Sequence, residues 1–246
     1  MANTPLAVLD LVPISSGSSA PQALRNSIDL ARHAELLGYA RYWFAEHHLN
    51  PGVAGTSPAV VLALTAGATA TIRLGSAAVQ MGHRTALSTV EEFGLVDALH
   101  PGRLDLGLGR SGGRPPSSEG GSAAQPRAGA AVATAAAPAR AGAAVGPDRA
   151  RAAVSPDRAG NGRAASGLLI PPRFSYQHLA RSPRFALHKR LLQLPGAEPQ
   201  DYAEQVTDIL ALLRGCYQTP DGIEAHIVPG EGATVQVWIM GSSGGE

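Results

Sequence analysis

Two hydrophobic periods alternate along the first 110 residues. Leu6–Val12 is a short, nearly continuous apolar run, as expected of a parallel strand covered on both faces. Gln22–Leu37 sets Leu24, Ile28, Ala31 and Leu37 at helical spacing, and Gly38 follows as a stop. Arg41–Ala45 is aromatic and strand-like. Ser57 followed by Pro58 predicts the start of a helix running to Thr69. Ile72–Val79 predicts a third strand, Leu87–Leu99 a helix ending before Pro101 and Gly102, and Arg103–Gly109 a fourth strand. Much later, Tyr202, Val206, Ile209, Leu210 and Leu213 share one face of a helix predicted over Asp201–Leu213. Glu224–Val228 reads as a short extended piece, and Val235–Met240 as a fifth strand.

Strand and helix repeating at intervals of roughly 30 residues predict βαβ units and a parallel sheet. Right-handed crossovers then build either a doubly wound sheet or a (βα)8 barrel. The first strand runs into Val12-Pro13-Ile14-Ser15-Ser16-Gly17, without the GxGxxG turn of a dinucleotide-binding sheet, so the barrel is preferred. A complete barrel needs eight strands and typically about 250 residues. The expected fold is therefore α/β, an incomplete TIM (β/α)8 barrel of about five parallel strands with flanking helices.

Composition explains the gap in the rhythm. Residues 112–167 contain no aromatic residue and no Leu, Ile or Met, and 42 of these 56 residues are Ala, Gly, Arg or Pro. Such a segment buries too little apolar surface to offset its backbone entropy, and is expected to be a disordered insertion. Within it AAVGPDRA (Ala143–Ala150) recurs as AAVSPDRA (Ala152–Ala159), and Gly129–Ala137 is rich enough in Ala to show marginal helix. The expected organisation is a first barrel half over 1–111, the insertion over 112–167, and a truncated continuation of the barrel over 168–246.

Charge and cysteine content narrow the function classes. Twenty Lys and Arg against 19 Asp and Glu give a formal net charge of +1, which argues against a strongly basic nucleic-acid surface. The single cysteine, Cys216, excludes an internal disulfide framework. No cationic n-region precedes an apolar stretch at the N-terminus, and no apolar run approaches the roughly 18 residues that span a bilayer. A soluble cytoplasmic protein, binding neither nucleic acid nor membrane, is expected.

Barrel chemistry sits at the C-terminal ends of strands. Four places qualify. Glu46-His47-His48 follows the second predicted strand and offers acid–base groups or metal ligands; equally, one histidine is structural and the other lies on the rim. Gly75-Ser76-Ala77-Ala78-Val79 is small enough for a flat ligand to approach, or is simply a tightly packed strand. Gly107-Leu108-Gly109-Arg110 combines close backbone approach with a cation for a phosphate or carboxylate, or is a surface arginine on a Gly-rich loop. Gly241-Ser242-Ser243-Gly244-Gly245 has the donors of a phosphate cradle, or is a frayed terminus.

Taken in order, the stretches AELLGYARYWFAEHH (Ala34–His48), TIRLGSAAVQM (Thr71–Met81), EEFGLVDALHPGRLDLGLGR (Glu91–Arg110) and VWIMGSS (Val237–Ser243) resemble the bacterial-luciferase-like flavin-dependent oxidoreductases. The resemblance implies a (βα)8 barrel that binds FMN, or in some branches a deazaflavin, at its C-terminal face. It implies a monooxygenase using reduced FMN and O2 on a small organic substrate, with NAD(P)H as reductant directly or through a flavin reductase. A homodimer through barrel helices is the implied assembly. Residue by residue, it makes His47 the active-site histidine and Glu46 the acid of the motif. Ala77-Ala78 matches a non-prolyl cis peptide beside the flavin. Arg110 matches an arginine brought toward the cofactor, and Ser242 and Ser243 match the loop on the flavin phosphate. Two rivals remain: a catalytically inactive fragment that binds flavin weakly or not at all, and a metal-dependent barrel hydrolase using Glu46 and His48.

Overall fold

In the computed structural model the described residues are 4–110, 162–163, 169–170, 183–198 and 200–241. Five parallel strands lie side by side in the order in which the chain visits them: β1 (Ala7–Asp10), β2 (Arg41–Phe44), β3 (Arg73–Ser76), β5 (Leu104–Gly109) and β10 (Gln236–Met240). The helices between them are α1 (Ala20–Leu36), α2 (Pro58–Ala66), α3 (Ala86–Leu99), α4 (Pro183–Leu192) and α5 (Tyr202–Leu213). A doubly wound sheet reverses its strand order part-way. This one never does, and such an order is the arc of a (βα)8 barrel. The chain is α/β, with five of the barrel's strands in place. The chain divides into two units: Met1–Pro115 with Ser182–Glu246, and Pro116–Arg181. In the second, the described residues form one antiparallel pair, β6 (Gly162–Arg163) with β7 (Leu169–Ile170). The predicted insertion over 112–167 and the Ala-rich helix over Gly129–Ala137 otherwise lie outside the described residues.

Alternation along each strand separates two faces. Tyr42, Phe44, Leu74, Leu104, Leu106 and Leu108 face the helices and are fully buried. Against them pack Ala31 and Ala34 of α1, Leu62 and Ala66 of α2, Val90 and Phe93 of α3, and Ile209 and Leu212 of α5. Burying each large side chain contributes roughly 1.5–3 kcal/mol. On the other face, strand register sets Trp43, Gly75, Asp105 and Gln236 in one row, with the pair Arg41 and Arg73 on one side of it and the pair Gly107 and Trp238 on the other. Asp105 is completely buried and accepts from Arg41 Nε (3.0 Å) and Trp43 Nε1 (2.9 Å) on one oxygen. Arg73 Nε (3.0 Å) and Nη2 (2.7 Å) donate to the other. One carboxylate thus ties β2, β3 and β5 together. Arg41 also donates to Gln236 of β10 and lies over the Trp238 ring.

The helix boundaries follow the sequence closely. Gly38, at φ +76°, ends α1 as predicted. Pro58 is the first residue of α2, but Ser57 makes no side-chain cap there and the helix stops at Ala66. Thr85, which the periodicity passes over, is the true cap of α3, accepting from the Ser88 N–H. Asp201 caps α5 through the N–H groups of Ala203 and Glu204. The sequence reading passes over α4, and of the small hairpin of β8 (Tyr217–Gln218) with β9 (Glu224–Ala225) it takes only the second strand, as the extended piece at Glu224–Val228.

The predicted strand Ile72–Val79 is interrupted. β3 ends at Ser76, and β4 (Val79–Gln80) resumes pairing with β5. Gly75 pairs Asp105 and Val79 pairs Leu108, so four steps on one strand match three on the other. The extra residue makes a bulge, a device that re-aims a strand near its end. The peptide bond Ala77–Ala78 inside it is cis. Ser76 fills the broken ladder: the Gly107 N–H donates to its Oγ (2.9 Å), and its hydroxyl donates to the Gly107 carbonyl (3.0 Å). A Cβ on Gly107 would come within 2.0 Å of the Ser76 carbonyl oxygen, so only glycine fits.

Candidate functional site

The C-terminal ends of β1, β2, β3 and β5 converge on one edge of the sheet. The Ala45 N–H donates to Asp10 O and the Ala77 N–H to Phe44 O, which aligns the segments leaving the strands. At the end of β1, Val12 holds φ +55°, a strained conformation for a β-branched residue. The Asp10 carboxylate secures it by accepting the Val12 N–H at 2.7 Å, and it also accepts the Tyr42 hydroxyl. Burial first, and then the Asp10 carboxylate, push the Tyr42 phenol far above its ordinary pKa, so it stays a donor.

Glu46, just past β2, is the centre of the site. It is buried, and five N–H groups reach its carboxylate. Oε1 accepts from His48 Nε2 (2.8 Å), His83 Nε2 (3.2 Å), and Arg84 Nε and Nη2 (3.3 and 3.2 Å). Oε2 accepts the Gln80 N–H (2.8 Å), while the Gln80 carboxamide donates to the Glu46 carbonyl (2.6 Å). Burial alone would raise the carboxyl pKa. The bonds from His83 and the Gln80 N–H, the Arg84 charge and the His48 bond outweigh it and hold the pKa at about 2, against an ordinary 4.5. An ionised carboxylate only accepts, so both imidazoles present Nε2–H to it. Their rings meet edge to face, 4.9 Å apart. Arg84 is held from its other side by Glu92 of α3 (2.9 and 3.2 Å).

One oxygen of Glu46 and a ring nitrogen each from His48 and His83 lie within 4.8 Å of one another, a spacing that a metal ion can share. Arg84, however, already brings a positive charge to the same oxygen. A divalent cation there would face that charge at close range, which weighs against the metal reading.

The residues singled out from sequence separate. Glu46 is in the buried cluster. His47 is exposed; its backbone N–H donates to Gly55 O, and it is His48 that joins Glu46. Alternation along extended backbone accounts for the division. Ala77 and Ala78 form the cis peptide and are half-buried at the sheet edge, and Arg110 follows β5 directly, also half-buried. A Cβ on Gly75 or Gly107 would run into the neighbouring strand, at the carbonyl oxygens of Asp105 and Ser76 respectively. Ser242 and Ser243 lie outside the described residues. Sequence reasoning missed His83 and Arg84, which reach Glu46 from more than 35 residues away, and missed Gln80. The only sequence signal for them is their place just beyond a strand end.

Comparison with known proteins bears on the same region. The family described as luciferase-like monooxygenase matches residues 4–134, more than half of the chain. A luciferase-like monooxygenase of Escherichia coli (strain K12) is 48% identical over 106 residues, 43% of this chain and 32% of the relative. The N-acetyl-S-alkylcysteine monooxygenase of Bacillus subtilis (strain 168) is 43% identical over 108 residues, 44% of this chain and 32% of the relative. Among solved structures, apo-MsnO8 aligns with TM-score 0.44 and 38% identity over 44% of this chain and 33% of that one. The chain thus spans about a third of the length of the relatives it matches. The family match over residues 4–134 contains β1 to β5 and the whole Glu46 cluster, and through it the chain belongs to the luciferase-like monooxygenase family.

Proposed function

We propose that this protein works as a flavin-dependent monooxygenase, taking reduced FMN and O2 to oxidise a small organic substrate. The observation that carries the reading is the bulge at Ala77 and Ala78, half-open at the sheet edge and adjoining the buried, ionised Glu46. Family membership supports the reaction class. Reduced flavin supplies the electrons that activate O2; everything else falls to the polypeptide. Ala77 and Ala78 offer a surface without bulky side chains for the ring. Arg110 and the hydroxyls of Ser242 and Ser243 are the candidate partners of the phosphate. Glu46, held charged by His48, His83 and Arg84, fixes the segment 45–48 and leaves His47 at the surface. There His47 is the proposed proton donor or acceptor toward the flavin site. A deazaflavin is the alternative cofactor, and NAD(P)H, directly or through a flavin reductase, is the proposed source of electrons. A homodimer through the barrel helices and an organisation into 1–111, 112–167 and 168–246 complete the proposal.

The test is oxygen uptake by the purified chain supplied with chemically reduced FMN and a panel of thioethers, aldehydes and ketones. Uptake coupled to substrate oxidation, lowered on the order of 10²–10⁴-fold in His47→Ala, is expected. Uptake no faster than free reduced flavin, with any substrate, would count against the reading.

A further inference from the structure

Two of the groups on Glu46, His83 and Arg84, ride on a single 3-10 turn, Met81–His83, and the residue after it. So short a turn closes only one hydrogen bond of its own, from the Arg84 N–H to the Met81 carbonyl. Further donors to its carbonyls come from more than a hundred residues farther along the chain. The Gln205 carboxamide donates to the Met81 carbonyl (3.2 Å) and the Arg84 carbonyl (3.1 Å), and the Gln193 carboxamide donates to the Gly82 carbonyl (3.0 Å). Gln205 is only 4% exposed and shares its helix, α5, with buried Ile209, Leu212 and Leu213. An amide on an apolar face persists only where its hydrogens are met, and both Nε2 hydrogens of Gln205 are met by this one turn.

We infer that Gln205 is a positioning residue for the Glu46 cluster: by bridging the Met81 and Arg84 carbonyls it fixes the turn that presents His83 and Arg84 to the carboxylate. Gln193 secures the middle of the same turn. The role in turnover rests on the flavin reading above; the role in geometry does not. His48 provides the internal comparison. It reaches Glu46 from two residues away on the same segment and needs no part of the turn. Loosening the turn therefore separates the two histidines, whereas general destabilisation treats them alike.

The experiment uses the full 246-residue chain, ¹⁵N-labelled, as wild type and as Gln205→Met, which keeps the length of the side chain and removes both donors. The readout is the imidazole Nε2–H signal of each histidine, which is visible when a carboxylate shields the proton from exchange. The expected result is loss of the His83 signal with the His48 signal retained and helical content unchanged. Retention of both signals, or loss of both together, overturns the inference. If Gln205→Met does not fold, the half-buried Gln193→Met carries the same readout: selective weakening of the His83 signal supports the inference, and an unchanged signal overturns it. FMN binding by the wild type is scored separately. Its absence overturns the flavin reading, while the comparison of His83 with His48 still decides the role of Gln205.

Discussion

Glu46 has no exposed side-chain surface, yet it stays ionised because donors converge on it from three directions: its own segment, the strand after the bulge, and the turn before α3. Its pKa is lower in the folded chain, about 2, than the ordinary 4.5. The stability it contributes is therefore complete above about pH 4.5 and is lost as the pH falls toward 2. The contribution is about 3 kcal/mol. Urea unfolding of wild type against Glu46→Gln should show a large gap at pH 7 that narrows steadily below pH 4.5; a gap independent of pH would contradict it. Glu35 behaves in the same sense at a half-buried position. Burial opposes its ionisation, but the N–H groups of Ile72, Thr71 and Ala70 and the Thr71 hydroxyl hold it at about 2. At this scale the sequence was half legible. Glu46 and Ala77-Ala78 stand in short, recognisable stretches. His83, Arg84 and Gln205 do not, because what joins them to Glu46 is distance in space and no local pattern records it.

Among the elements, the bulge between β3 and β4 does the most to shape the site, and the hydrophobic pattern hides it. Ile72–Val79 reads as one strand because Ser76, Ala77 and Ala78 are too neutral to mark a break. Ser76 holds the interruption by giving both Gly107 backbone groups a partner within the buried sheet. Ser76→Ala leaves that N–H and that carbonyl unmet and should cost about 1–3 kcal/mol in urea unfolding. Gly107→Ala is expected to be worse, since its methyl would meet the Ser76 carbonyl oxygen, and neither side is a flexible side chain. A Gly107→Ala variant with unchanged melting temperature would show that the bulge is not packed this way. The long elements were legible for the opposite reason. Asp201–Leu213, Leu87–Leu99 and Arg103–Gly109 each bury a regular set of apolar residues, so burial and sequence period coincide.

For the whole molecule, the strand order is what distinguishes a barrel arc from a doubly wound sheet, whereas the sequence favours the barrel only through the missing Gly-rich turn after β1. The row of polar residues along the inner face was not foreseen. Asp105 appears in a strand that otherwise reads as apolar, and its use becomes visible only when register sets Arg41, Trp43 and Arg73 around it. Asp105→Asn leaves two guanidinium groups facing each other without their shared anion and should cost about 3 kcal/mol, read as a lowered midpoint in urea. No described helix is long and apolar enough to cross a membrane. The central claim, that the sheet edge around Ala77–Ala78 is a flavin platform, is tested most directly by titrating FMN into the folded 246-residue chain and following its fluorescence. Wild type should quench saturably in the micromolar range, and Ala78→Leu, which fills the platform while leaving the Glu46 cluster intact, should abolish the saturation. A folded wild type that does not bind, or an Ala78→Leu variant that binds equally well, would contradict the account.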